Sequence, residues 1–142
     1  MAMTMHIDIV SAEESIHSGT ASFISARATG GEVGIYPRHL PMLVQLQAGE
    51  VTVRDEFDNE QFYYVSGGTM EVQPHVVTIL ADAAVRAKDI DEAAAEEARR
   101  RAEEALANRT TEVDYARAQA ELIEAAAQLR TIQKLRKTAN RG

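Results

Sequence analysis

The 142 residues include no cysteine and no tryptophan. Without cysteine, neither a disulfide framework nor a cysteine-based zinc site can form. Proline is confined to Pro37, Pro41 and Pro74, and seven of the eight glycines lie at or before Gly68. Between His75 and Arg141 there is neither. Long apolar runs are also missing: none approaches the roughly 20 residues a helix needs to span a bilayer. The opening MAMTMHIDIV lacks a basic leader, an extended apolar stretch and a small-residue cleavage site, so no secretion signal is expected. Membrane association is expected only through a partner. A net charge of −7 and a pI near 5.1 argue against general nucleic-acid binding, which needs a basic surface. A chain of this length buries about 70% of its unfolded surface, enough for a core without covalent staples. It fits one domain, or a small domain with an appendage.

Charge divides the chain in two. Residues 1–85 carry 3 basic and 11 acidic side chains, and residues 86–142 carry 12 and 11. Together with the loss of Gly and Pro, this places a change of architecture near Arg86 to Asp89. The first half reads as short strands. Ile7 and Ile9 alternate with His6 and Asp8, Val51 and Val53 with Thr52 and Arg54, and Met70 and Val72 with Glu71 and Gln73. Val76, Val77, Ile79 and Leu80 read as a buried strand. Turn signals at Gly19, Gly30-Gly31, Gly49, Asp58-Asn59 and Gly67-Gly68 separate the runs, as in an antiparallel sandwich or barrel.

The second half reads as two helices. Asp89, three residues before Glu92, is the expected cap of the first, which runs to Ala107 with Glu96/Arg100 and Glu97/Arg101 at i, i+4. Asn108–Thr111 supplies a loop, and Thr111 caps a second helix. Tyr115, Ala118, Leu122, Ala125, Leu129 and Ile132 then recur at heptad-like spacing, facing a stripe of Ala95, Ala98, Ala102 and Ala105. The expected fold is α+β: an N-terminal antiparallel β-sandwich (1–86) followed by a C-terminal antiparallel α-helical hairpin (87–142). An alanine seam removes little apolar area from water, so the arm is expected to open or leave its docking site at low cost. The plainer reading of the alanines is helix propensity alone.

Catalytic constellations are thin: no P-loop, GxGxxG, GxSxG or HExxH pattern occurs, and neither a catalytic residue, a cofactor nor a metal is expected. His6-x-Asp8 reads as a satisfied surface histidine. Adjacent carboxylates such as Glu96-Glu97 point about 100° apart on a helix and form a solvated face. Two features suit interaction. The stretch GGEVGIYPRHLP (30–41) packs three glycines and two prolines around Glu32, Tyr36, Arg38 and His39, a polar surface with an aromatic anchor; a corner between strands is the alternative. The tail from Arg130 to Gly142 carries Arg130, Lys134, Arg136, Lys137 and Arg141 and no acid. That is more than the helix dipole calls for, and it suits an acidic protein surface.

Four segments in order, MAMTMHIDIVSAEESIHSG, GGEVGIYPRHLPML, YYVSGGTMEVQPHVVTILADAAVRA and IDEAAAEEARRRAEEA, resemble the epsilon subunit family of the F-type ATP synthase in its proteobacterial form. The resemblance spans essentially the whole chain. It implies a non-catalytic part of the central stalk, at the cytoplasmic face of the bacterial inner membrane. There the sandwich would bind the gamma subunit and rest on the c-ring, helping to couple proton flow to ATP synthesis. The ring contact it implies falls on Glu32 and His39, with Tyr36 and Arg38 beside them. Arg38 stands where relatives commonly have Gly, and Leu40 where they commonly have Ala. The resemblance further implies a helical arm that extends into the catalytic head and inhibits hydrolysis, with Arg130, Lys134, Arg136 and Lys137 meeting a catalytic beta subunit. A nucleotide motif of some relatives survives only as Ile90, Asp91, Ala95 and Arg101. Ala94, Glu124 and Gln128 replace its other cations, so ATP binding is expected to be weak or absent.

Two rival readings remain open at this level. A generic adaptor would share the fold without depending on a rotor. An enzyme would need a perturbed acid or base near residues 30–41, and detectable turnover would reveal it.

Overall fold

The computed structural model describes residues 3–108 and 111–141, with the backbone alone at Asn140 and Arg141. Met1 and Ala2 of the first segment, Arg109 and Thr110 of the expected loop, the side chain of the tail cation Arg141, and Gly142 lie outside the described residues.

Ten strands precede the helices: β1 (Met5–Ser11), β2 (Ser15–Ala21), β3 (Phe23–Ala28), β4 (Gly31–Ile35), β5 (Met42–Leu46), β6 (Gly49–Arg54), β7 (Glu60–Val65), β8 (Gly68–Val72), β9 (Val76–Ala81) and β10 (Ala84–Arg86). They form one hydrogen-bonded sheet in the order β10-β7-β6-β3-β5-β8-β9-β1-β2, with β4 beside β3, folded around a single core. Ile7, Ile9, Ile24, Ile35 and Ile79 are each 0% exposed, and burying side chains of this size stabilises by about 1.5–3 kcal/mol apiece.

The sandwich departs from the sequence reading at three points. β1 and β9 pair in parallel, His6 opposite Val76, whereas every other ladder is antiparallel. The two strands lie too far apart in the chain for a hairpin turn to impose its direction. Gly19 lies inside β2, opposite Ile7, and makes no turn. The run 76–80 is not wholly buried: Val77 and Ile79 face the core, while Val76 and Leu80 point out, because β9 has one solvated face. Gly68 is required at the β7–β8 turn. Its φ of +133° disfavours a side chain, and a Cβ would collide with the Leu80 carbonyl oxygen.

After β10, a 3₁₀ turn (Ala87–Asp89) leads to α1 (Glu92–Ala107), and α2 (Glu112–Arg141) runs back. The cap of α1 is Asp91, not Asp89: its carboxylate accepts from the Ala94 N–H at 3.1 Å, while Asp89 closes the 3₁₀ turn. Thr111 caps α2, its Oγ1 accepting from the Asp114 N–H at 3.1 Å. On α1, Glu96 pairs with Arg99 and not with Arg100, which bonds Glu97 and Glu104. No described helix is long and apolar enough to cross a membrane.

The hairpin seam is narrower than expected. Ala95 and Ala102 are buried, as are Ala118, Ala125, Leu129 and Ile132 on α2, but Ala98 and Ala105 stand exposed at its edge. A methyl group is too short to close that edge. A groove of ≈300 Å³ remains, lined by Ala98, Arg101, Glu121, Glu124, Ala125 and Gln128.

Candidate functional site

Helix α2 is the middle layer between α1 and the sandwich. On a helix, Ala127 and Thr131 lie roughly opposite the seam of Ala125 and Leu129. Both are 0% exposed because α2 also packs on β6 and β7. The cover shows in the strands. β6 and β7 are buried on both faces: Val51, Val53, Tyr63 and Val65 point into the core, and the outward Glu50, Thr52, Phe62 and Tyr64 lie beneath the helix. Thr131 satisfies its hydroxyl internally, donating to the Ala127 carbonyl at 2.8 Å. Val113, Ala116, Ala120 and Ile123 continue the same stripe of α2 toward its N-terminus and are exposed.

The charge in this interface is Glu50, only 8% exposed. Lys134 Nζ lies 3.2 Å from its Oε1, and Arg130 Nε 3.9 Å from its Oε2. Desolvation pushes this carboxyl up. Its own backbone N–H, Lys134 and Arg27 outweigh that and hold it below the usual carboxylate range. Gly49, just before it, admits the close approach of Arg27, whose Cβ would crowd a side chain there at 2.9 Å. A second ion pair joins the hairpin ends: Arg136 bonds both oxygens of Glu92, Nη1 to Oε1 at 3.0 Å. The Glu92 carboxyl is held low by that bond.

Of the four tail cations that the resemblance turns toward a catalytic beta subunit, Arg130, Lys134 and Arg136 thus pair within the chain. Lys137 is exposed and lines a groove of ≈350 Å³ with Glu32, Arg54, Phe62 and Lys134. Nothing in the polar pattern of β6 singles out Glu50. The available signal is the i, i+4 spacing of Arg130 and Lys134, which aims two cations at one point.

The loop of residues 36–41 joins β4 to β5 at one end of the sandwich. Tyr36 is 62% exposed and leans on Phe23, ring centroids 4.7 Å apart, while Arg54 lies over the other aromatic partner at 5.1 Å. Arg38 has φ +66°, and its N–H donates to the Pro74 carbonyl at 2.8 Å. A left-handed position favours glycine, which gives a physical reason for the Gly that the resemblance expects there. His39 Nδ1 lies 2.7 Å from the Leu40 carbonyl, which can only accept, so the proton sits on Nδ1. Leu40 is 80% exposed. Glu32 stands back from the loop on β4, opposite Arg27.

The residues of the remnant nucleotide motif are spread over different tasks. Asp91 is occupied as a cap, Ala95 is buried in the seam and Ile90 is half-buried. Arg101 bonds Glu97 at 3.4 Å and shares its groove with Glu121 and Glu124, two carboxylates to one cation. Of the histidines, His6 pairs with Asp8 at 3.0 Å on the outer face of β1, and Ser18 donates to the same carboxylate at 2.6 Å. His17 is half-buried against Tyr63. The Tyr63 hydroxyl donates to Gln61 Oε1 at 2.6 Å and accepts from His17 Nδ1 at 2.6 Å. Desolvation, then Arg86, lowers the pKa of this imidazole. Among the described residues, no three metal-ligating side chains come together.

The other broad face of the sandwich is uncovered. On β5, β8, β9 and β1 it presents Leu43 (74% exposed) and Leu80 (53%) among Glu71, Thr69, Thr78 and Asp8.

Comparison with known proteins covers both halves. Residues 4–87 match the family model described as ATP synthase, Delta/Epsilon chain, beta-sandwich domain, and residues 88–133 match its long alpha-helix domain. The ATP synthase epsilon chain of Alkalilimnicola ehrlichii is 61% identical over 138 residues, 97% of this chain and 99% of that relative. The epsilon chain of Thioalkalivibrio sulfidiphilus is 64% identical over 138 residues, 96% and 98%. Two solved structures share the fold. A cryo-EM structure of the Euglena gracilis mitochondrial ATP synthase, OSCP/F1/c-ring in rotational state 1, contains a chain with TM-score 0.80 and 23% identity, covering 87% of this chain and 78% of that one. The central stalk/c-ring structure of the Tetrahymena thermophila mitochondrial ATP synthase contains one with TM-score 0.61 and 12% identity, covering 92% and 97%. Matched in both halves and over nearly its whole length, the chain belongs to the ATP synthase delta/epsilon chain family.

Proposed function

We propose that this chain is a non-catalytic rotor subunit of the bacterial F-type ATP synthase, in the central stalk at the cytoplasmic face of the inner membrane. The observation that carries the reading is the end-to-end match to epsilon chains, sandwich and helices together. The geometry supports a division of surfaces. The β6–β7 face holds the arm, which leaves the uncovered face with Leu43 and Leu80 for the gamma subunit. The loop with Tyr36, Arg38, His39 and Leu40 projects at one end and suits the c-ring, with Glu32 at its margin.

The C-terminal helices act as the regulatory arm. Released from the sandwich, α2 offers Arg130, Lys134, Arg136 and Lys137 to an acidic surface of a catalytic beta subunit and slows hydrolysis. Nucleotide does not set the switch, because the groove at Arg101 is dominated by Glu121 and Glu124.

The test reconstitutes the cognate catalytic head with gamma subunit and the full chain. Leu43→Asp with Leu80→Asp should abolish co-purification with gamma. Replacing the four cations with Ala should keep that binding and relieve inhibition. Full binding by the Leu43/Leu80 variant contradicts the assignment of this face, and unchanged inhibition by the cation variant contradicts the arm. If the unmodified chain fails to join the complex at all, the rotor reading fails.

A further inference from the structure

We propose that Glu50 is the catch of a charge latch that holds α2 on the sandwich and withholds Arg130 and Lys134 from other carboxylates. The latch itself stands on the geometry of the isolated chain; only its competition with an acidic partner rests on the arm reading above.

Glu50 is the one acid among the four outward residues that α2 covers, beside Thr52, Phe62 and Tyr64. A carboxylate in such a place costs several kcal/mol unless cations meet it; Arg27 of β3 acts on it from the sandwich, and both ion-pairing cations come from the helix itself. The helix's own fully buried contacts are small, Ala127 with a methyl group and Thr131 with a hydroxyl turned back on its helix, and the apolar cover comes from the strand side, where Phe62 and Tyr64 are buried. The part of this contact that responds to charge is Glu50 with its two cations.

The pairing is also incomplete. Arg130 Nε and Glu50 Oε2 face each other at 3.9 Å, beyond hydrogen-bonding distance, and neither has another hydrogen bond among the described residues. Lys134 makes the closer contact, and both cations keep more than a third of their side-chain surface in solvent. A latch of this kind holds without locking. On release, Glu50 regains water and the two cations are freed one helical turn apart. A lysine ammonium near 3 Å from Glu50 cannot sit equally well on a second carboxylate, so docking and capture by an acidic surface exclude each other. Glu50 thereby sets the threshold for release.

The absence of cysteine allows a direct test in the full chain. Spin labels at Glu56→Cys, on the β6–β7 turn, and Glu103→Cys, on the exposed side of α1, report the distance between sandwich and arm. The unmodified background should give one dominant distance. Glu50→Gln should raise the population of longer distances about tenfold, less than for a fully buried pair because the cations remain half in water. Glu50→Lys should raise it further, and Lys134→Glu on that background should bring it back. The denaturant midpoint of the sandwich confirms that each variant folds. A distance distribution in Glu50→Gln that coincides with the background overturns the latch, as does a charge swap no better than Glu50→Lys alone. The second readout is hydrolysis by the catalytic head: Glu50→Gln should inhibit more strongly than the unmodified chain. Shifted distances with unchanged hydrolysis support the latch and overturn the competition.

Discussion

The two surfaces that hold this chain together are built from different chemistry. Inside the sandwich, Ile7, Ile9, Ile24, Ile35, Met70 and Ile79 are fully buried and bring large apolar areas out of water. Between α2 and the sandwich, the helix buries only the small Ala127 and Thr131 completely, over Phe62 and Tyr64, and the charged contact is Glu50 with two half-exposed cations. At about 25 cal/mol per Å² the first interface is strong and owes nothing to charge, whereas the second buries less and is sensitive to charge. A core of branched side chains makes an anchor; a seam of methyl groups with one buried carboxylate makes a contact that can be exchanged for another.

Substitutions should separate the two. The largest effect falls on the anchor: Ile79→Ala should lower sandwich stability by about 2–5 kcal/mol, measured by denaturant unfolding followed at the tyrosines. Next comes the docking face. Thr131→Leu should disfavour the docked arm by about 1–3 kcal/mol through overpacking against β6 and β7. Trypsin would then cleave at Arg130 faster while the denaturant midpoint of the sandwich holds; if both change together, the two regions are one cooperative unit. A gain is expected at the loop, where Arg38→Gly removes a left-handed side chain and should stabilise by about 1 kcal/mol.

pH sharpens the same comparison. The folded sandwich lowers the His17 pKa below its ordinary 6.5. The stability this contributes is complete above 6.5 and is lost as pH falls from there through the folded value. Glu50 is also held below its ordinary 4.5, so its contribution to docking is lost only as pH falls beneath that. Between pH 7 and 5 the sandwich should weaken while the arm stays docked, and His17→Gln should flatten that slope in denaturant titrations. The smallest effect belongs to the solvated face of α1: Arg100→Ala should leave the thermal unfolding midpoint nearly unchanged, because solvent screens its exposed pairs with Glu97 and Glu104.

What the sequence disclosed follows the range of the interaction. Both helices and the Thr111 cap rest on neighbours within a few residues, and periodicity reveals them; the spacing to Glu92 points to Asp89 as the first cap, whereas Asp91 makes it. Long-range pairing was not legible. The parallel β1–β9 ladder joins strands about seventy residues apart, and the His17–Tyr63 bond joins residues with no local relation. Thr52 and Arg54 read as the polar side of an alternating strand, and Glu50 falls in the same register, because alternation assigns a face without saying what later covers it. The tail cations were visible as a group, but their acceptors on Glu50 and Glu92 emerge only once α2 lies against both. The stretch of residues 30–41 is legible through its glycines and prolines, while the left-handed turn at Arg38 is not, since nothing about arginine announces it.

Native-state hydrogen exchange of the full chain across low denaturant tests the central claim most directly. The account predicts two opening reactions: α1 and α2 amides, including those around Ala127 and Thr131, exchange through a partial unfolding of low free energy, while β1, β8 and β9 exchange only with global unfolding. A single opening reaction shared by helices and strands at every denaturant concentration would contradict a separable arm on a permanent anchor.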